Sequence, residues 1–170
     1  IISCDNSDMQ NIIGCPDYIK GFSCSNNRIK SFEGSPKYIE YNLYCHVNLI
    51  TSFEGAPEYI GNSFFCNDNR ITSFKGCPNV KKLSITTNQI RSFNYFPKVE
   101  KIELLNNPVY QLWKLFENVE YVEYFNELDI IRDDENVVVL DRLNYFLTDI
   151  GKEEVNRLNL DGIKRYYTII

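Results

Sequence analysis

The residues of this chain whose types could do chemistry are one histidine, six cysteines and a scatter of carboxylates. A nucleophile–histidine–carboxylate triad would have to be built on His46, and no Gly-x-Ser-x-Gly turn is present to expose a serine nucleophile. Neither a Gly-x-x-x-x-Gly-Lys-Ser/Thr phosphate loop nor a Gly-x-Gly-x-x-Gly dinucleotide turn occurs. Cys45 and His46 are adjacent, and adjacent residues of an extended segment point to opposite faces, so they are poorly placed to hold one metal. The paired Cys-x-x-Cys spacing of zinc sites is lacking. Asp133-Asp134-Glu135 is an acidic run, read as a solvated turn; as a calcium loop it lacks the EF-hand pattern. The expectation is a chain that is not an enzyme, with no catalytic residue, no metal ligand and no cofactor.

The cysteines lead from chemistry to architecture. Cys4, Cys24, Cys45 and Cys66 recur at intervals of 20, 21 and 21. A regular interval marks a repeat position and predicts buried packing, where a free cysteine behaves as a small hydrophobe. Neighbouring coils would bring such cysteines close enough for a disulfide, but unpaired thiols are the preferred reading. The prolines carry the same period: Pro16, Pro36, Pro57, Pro78 and Pro97 lie 20, 21, 21 and 19 apart. Ser31-Phe32-Glu33-Gly34-Ser35-Pro36 returns as Ser52-Phe53-Glu54-Gly55-Ala56-Pro57 and Ser73-Phe74-Lys75-Gly76-Cys77-Pro78, then more weakly as Ser92-Phe93-Asn94-Tyr95-Phe96-Pro97.

Between these blocks lies a second signature. Val80-x-x-Leu83-x-Ile85-x-x-Asn88-x-Ile90 and Val99-x-x-Ile102-x-Leu104-x-x-Asn107-x-Val109 fit the Leu-x-x-Leu-x-Leu-x-x-Asn-x-Leu pattern. Ile19-x-x-Phe22-x-Cys24-x-x-Asn27-x-Ile29 fits with Phe and Cys in Leu positions, and the coils carrying Cys45-x-x-Asn48 and Cys66-x-x-Asn69 hold one extra residue early. Ile2 to Met9 reads as the tail of an earlier coil, so the chain starts in mid-repeat and is expected to be a fragment. Val119-x-x-Val122-x-Tyr124-x-x-Glu127 reads as a decayed last coil, with Trp113 in the slot of Phe93.

On these motifs residues 1–127 resemble the leucine-rich-repeat superfamily, in the short-period flavour of repeat proteins of large DNA viruses, phages and bacteria. The resemblance implies an α+β repeat fold: a leucine-rich-repeat solenoid of about six to seven coils, the first truncated. A parallel β-sheet would form the concave face, with a mostly turn-like or 3-10 convex side. It also implies an inward ladder of Asn27, Asn48, Asn69, Asn88 and Asn107 that bonds backbone groups where the chain leaves each strand. Phe32, Phe53, Phe74 and Phe93 form a second inward row, and Cys24, Cys45 and Cys66 pack in the core. Each coil buries its apolar face only against its neighbours.

Residues 128–170 fall outside the repeat and are read as a mixed C-terminal capping segment with one or two helices, since a solenoid needs its last coil covered. Leu140, Leu143, Leu147 and Ile150 share a helical face over Asp141–Ile150, with Gly151 as its stop. A second short helix is expected over Glu153–Leu158, a turn at Asp161-Gly162 and a strand within Tyr166–Ile170. A partner-docking role for this segment is the alternative.

Function in repeat solenoids usually lies on the concave strand face. The outward positions there include Tyr44 and Phe65, neighbouring aromatics on adjacent coils, with His46 and Asn67 two positions on and Val47 and Asp68 beside them. An exposed aromatic pair rimmed by polar groups has the composition of an interface centre. The competing reading is that the two rings simply stack as a cross-strand pair. A net charge of −5 with no polybasic tract argues against nucleic acid and anionic membrane surfaces as partners. The expected partner is a protein, met through a non-catalytic interaction module. The alternative is a structural part of a larger assembly such as a viral particle, in which Trp113, Tyr121, Tyr124, Tyr166 and Tyr167 would lie against other chains. Either setting is intracellular or within a virion, with reduced cysteines.

Overall fold

The computed structural model describes residues 1–132 and 134–170. Its strands in chain order are β1 (Ile2–Ser3), β2 (Tyr18–Ile19), β3 (Phe22–Ser23), β4 (Tyr38–Ile39), β5 (Leu43–Tyr44), β6 (Tyr59–Ile60), β7 (Ser63–Phe65), β8 (Lys82–Ser84) and β9 (Lys101–Glu103). They stack as a parallel β-solenoid of about five turns. Strands β1-β3-β5-β7-β8-β9 form a six-stranded parallel sheet. Its register aligns Phe22 with Leu43, Leu43 with Phe64, Phe64 with Leu83 and Leu83 with Ile102. These inward positions and Cys24, Cys45, Cys66, Ile85 and Leu104 beyond them are buried.

Each coil is closed by two devices that the repeated residues explain. The first is a turn in which the amide three residues after the phenylalanine donates back to its carbonyl, as from Ser35 to Phe32, Ala56 to Phe53 and Cys77 to Phe74, each at 2.9 Å. The third residue of such a turn needs a positive φ, which glycine adopts without steric cost. Gly34, Gly55 and Gly76 hold it at 80°, 77° and 82°. The phenylalanines Phe32, Phe53, Phe74 and Phe93 point inward and are buried.

The second device is the asparagine ladder. Asn48 Oδ1 accepts from Ile29 N at 3.0 Å while its Nδ2 donates to Cys24 O at 3.0 Å and Cys45 O at 3.1 Å, so one side chain joins two coils. Asn69 repeats this with Ile50 N, Cys45 O and Cys66 O, Asn88 with Ile71 N, Cys66 O and Ile85 O, and Asn107 with Ile90 N, Ile85 O and Leu104 O. Asn27 bonds Met9 N and the carbonyls of Cys4 and Cys24. Backbone groups that the turn would strand in the interior are thereby paired, which a buried amide or carbonyl requires.

Two parts of the fold differ from the sequence reading. Between the turn and the main strand of three coils, where no second sheet was expected, β2, β4 and β6 form a three-stranded parallel sheet, with Ile19, Ile39 and Ile60 buried. Three successive coils carry Tyr-Ile at the same place, and in-register extended segments pair by the same ladder as the main sheet. The stretch 119–127 is not a strand-bearing coil either. After α1 (Tyr110–Trp113) the chain forms a 3-10 turn over Val119–Tyr121 and α2 (Val122–Glu127). Asn118 Oδ1 accepts from Glu120 N at 2.9 Å and opens this helical run, so a local cap overrides the strand-like spacing.

The remaining segment holds β10 (Ile131–Arg132), β11 (Val137–Val138), α3 (Leu140–Asp149), α4 (Arg157–Lys164) and β12 (Thr168–Ile169), with β11 antiparallel to β10 and parallel to β12. Asp133 of the acidic run lies outside the described residues. The second helix starts later than its pattern suggested because Asn156 caps it, accepting from Leu158 N at 3.0 Å and Asn159 N at 3.2 Å. Gly162, expected in a turn, lies inside α4 where Gln111 approaches: a Cβ there would come within 2.6 Å of Gln111 Oε1. Phe116, Phe125 and Phe146 close over Phe93 of the last turn, with Phe93 and Phe125 edge to face at 5.2 Å. Trp113 and Tyr167, which the alternative of a larger assembly would set against other chains, are instead 7% and 4% exposed in their own chain, and Tyr167 OH donates to Arg91 O at 2.6 Å. No helix among the described residues is long and apolar enough to cross a membrane.

Candidate functional site

The main sheet turns its other face outward. Alternation puts Ser23, Tyr44, Phe65, Ser84 and Glu103 there, one per strand, because their neighbours on both sides point into the core. Tyr44 and Phe65 are paired in register, and their rings stack at 4.8 Å between centroids with planes 2° apart. Both are half-buried. Asn42 Nδ2 donates to Tyr44 OH at 3.0 Å, and Lys82 Nζ stands 5.5 Å from the Phe65 ring centroid.

Polar networks flank the pair. On one side Lys82 Nζ lies 2.9 Å from Glu103 Oε1, and Ser84 Oγ donates to Glu103 Oε2 at 2.6 Å. The Ser84 and Lys82 hydrogen bonds hold the Glu103 carboxyl below the usual carboxylate range. On the other side Asp5 accepts from Ser23 Oγ at 2.7 Å and Ser25 N at 2.6 Å. Burial pushes the Asp5 carboxyl up, but the bonds from Ser23, Ser25 and Ser3 outweigh that and leave its pKa lowered. His46 Nδ1 sits 3.0 Å from Ser25 Oγ. A hydrolytic triad would need an accessible serine and a carboxylate on the imidazole. Ser25 is 1% exposed, and the Asp5 carboxylate is spent on serine hydroxyls and a backbone amide.

The other residues singled out in the sequence sit at the rim. Asn67 is half-buried and accepts from Thr86 N at 3.1 Å. Val47 and Asp68 are exposed at the left-handed turn that ends each strand, with φ of 55° and 53°. That conformation costs a β-branched side chain about 1–2 kcal/mol, so Val47 is a strained choice where Asn26 and Asn106 serve other coils. Beside Tyr44 lies a hollow of about 380 Å³ bordered by Phe22, Ser23, Tyr41, Asn42 and His46.

Behind this face run the cysteines. Cys24, Cys45 and Cys66 are buried and unpaired, and burial pushes all three thiols up. The thiolate is the reactive form. The folded protein is therefore expected to leave these three unmodified by a thiol reagent at neutral pH, with all reacting in denaturant; mass spectrometry of the labelled sites checks it. Because the folded pKa values are raised, the stability they contribute is complete below the unfolded thiol range and is lost as pH rises through about 8.5 and beyond.

One feature of the surface escaped the sequence reading. Tyr18, Tyr38 and Tyr59, on the outward face of the second sheet, form an exposed stack with ring centroids 5.4 and 4.4 Å apart. The Tyr-Ile that recurs two residues after Pro16, Pro36 and Pro57 was its signal. Among the described residues no group of histidine, cysteine and carboxylate side chains is arranged to hold a metal. Compared with protein-family models, curated proteins and solved structures, the chain matches none.

Proposed function

We propose that the chain is a non-catalytic protein-interaction module of the leucine-rich-repeat kind, binding a protein partner through the outward face of the six-stranded sheet. The supporting observation is the Tyr44–Phe65 stack: two half-buried rings at the middle of the sheet, with Lys82–Glu103 and Asp5–Ser23–Ser25–His46 networks on either side. Interface centres have this composition, an aromatic core within a polar rim. His46, Asn67, Val47 and Asp68 would form the rim of the contact.

Changing Tyr44 and Phe65 together to serine tests the reading. Aromatic anchors at interface centres contribute on the order of 2 kcal/mol or more each, so binding to the physiological partner should fall at least about thirtyfold. Folding stability should fall by less than about 2 kcal/mol, since the stack itself is worth about 0.5–1.5 kcal/mol. Affinity capture from the native source, with thermal unfolding in parallel, measures both. Retention of every wild-type partner by the double variant would refute the proposal.

The exposed tyrosine stack favours a second reading, a structural part of a larger assembly that packs through Tyr18, Tyr38 and Tyr59. It requires the purified chain to self-associate, and a variant with these three tyrosines changed to serine to elute as a monomer on a sizing column.

A further inference from the structure

A cleft lies away from that face, where the last regular turn meets the first helices of the cap. It encloses about 770 Å³ between residues 95–99 and the stretch 119–127. Phe96, Pro97, Val99 and Val122 give it an apolar floor, and Glu120, Glu123 and Glu127 line its helical wall. Those three carboxylates are exposed, and none is ion-paired among the described residues. Lys98 is the one basic side chain on the lining.

Tyr95 stands at the lip of this cleft and breaks the repeat. It occupies the turn position held by Gly14, Gly34, Gly55 and Gly76, and it takes the same left-handed conformation with φ of 59°. A large L-residue there is strained, and Tyr95 is 67% exposed, so burial does not compensate. Residues kept in strained conformations cluster at functional sites. The ring is also a cation acceptor already, with Lys75 Nζ 5.9 Å from its centroid.

We infer that this cleft docks a cationic, apolar peptide segment of a protein partner, with Tyr95 as its aromatic anchor and Glu120, Glu123 and Glu127 as its charge partners. Apolar floor, aromatic lip and three unpaired carboxylates on one wall together select lysine or arginine side chains interleaved with aliphatic ones. The site is independent of the Tyr44–Phe65 face, so either assignment can fail without the other.

Fluorescence anisotropy with a labelled amphipathic peptide, lysine on one face and leucine on the other, tests it on the intact chain. Tyr95→Gly restores the residue the other turns use, so it should keep or raise the melting temperature while weakening peptide binding about tenfold. Glu123→Gln with Glu127→Gln should weaken binding to a similar degree, whereas Glu54→Gln with Glu58→Gln, exposed and remote on the coils, should not. The proposal is overturned by any of three results: no binding to the wild-type chain, equal binding of a peptide with glutamate in place of lysine, or remote charge changes as damaging as those in the cleft. Unchanged binding by Tyr95→Gly would remove Tyr95 as the anchor and overturn it equally.

Discussion

Replacing Asn88 by alanine is expected to destabilise the protein by about 3–5 kcal/mol, a large fraction of the stability of an ordinary domain. Its side chain accepts from Ile71 N at 2.9 Å and donates to Cys66 O at 3.0 Å and Ile85 O at 3.2 Å, all in the interior. Alanine leaves an amide and two carbonyls facing a space too apolar to hydrate them, and each unsatisfied buried group costs about 1–3 kcal/mol. The carbonyls keep other lone-pair contacts, which places the sum below three full penalties. Gln89→Ala, one residue on and exposed, should stay within about 0.5 kcal/mol of wild type in the same urea titration. Asn88→Asp separates the donor role from the acceptor role. A carboxylate can still accept from Ile71 N but faces two carbonyls to which it cannot donate, so its folded pKa is raised. The variant should then be most stable near pH 4 and lose stability as pH rises toward neutrality. Equal stability of Asn88→Ala and Gln89→Ala would mean that the ladder only accompanies the coils and does not hold them together.

The ladder was legible in the sequence because its position admits so little else. A side chain that must both accept from a backbone amide and donate to backbone carbonyls, at a fixed place in each coil, is an asparagine five times over, at intervals of 21, 21, 19 and 19 that drift together with the prolines. Phe32, Phe53 and Phe74 were legible for the same reason, sitting before a turn that needs glycine. The second sheet was not. Tyr38-Ile39 looks like the entry to the main strand, and nothing in two residues distinguishes an extended entry from a paired one until neighbouring coils are superposed in register. The helical stretch 119–127 was misread because Val119, Val122 and Tyr124 satisfy both periods, and a 3-10 turn followed by two turns of helix is too short for periodicity to decide. The outward rows needed only alternation to be placed, so Tyr44 and Phe65 were named together from sequence. The bonds of His46 to Ser25 and of Lys82 to Glu103 depend on rotamers and on partners one coil away. Tyr95 carried a signal that was passed over: in a repeat, the informative residue is the one that departs from its column at a conformational cost.

Phe64→Ala should cost about 3–5 kcal/mol, the range for emptying a phenylalanine site in a packed core. Phe64 is 0% exposed and stands edge-on to both Phe32 and Phe53 at 5.7 Å, while those two rings stack at 6.3 Å. It thereby ties the main sheet to the phenylalanine row across the width of the coil. Removing it opens a cavity between two turns and takes away both edge-to-face contacts, each worth about 0.5–1.5 kcal/mol beyond area burial. Phe64→Leu should be far milder, below about 1.5 kcal/mol, because Leu43 and Leu83 already fill the same column on either side. Phe65→Ser, one residue further, should cost less than the alanine change at Phe64, since Phe65 is half-buried on the outward face. The order of these three variants, read from chemical denaturation, tests the strand register itself. A slip of one residue exchanges inward and outward side chains, so a costly Phe65→Ser beside a tolerated Phe64→Ala would reverse the assignment of the faces, and with it the place where a partner binds.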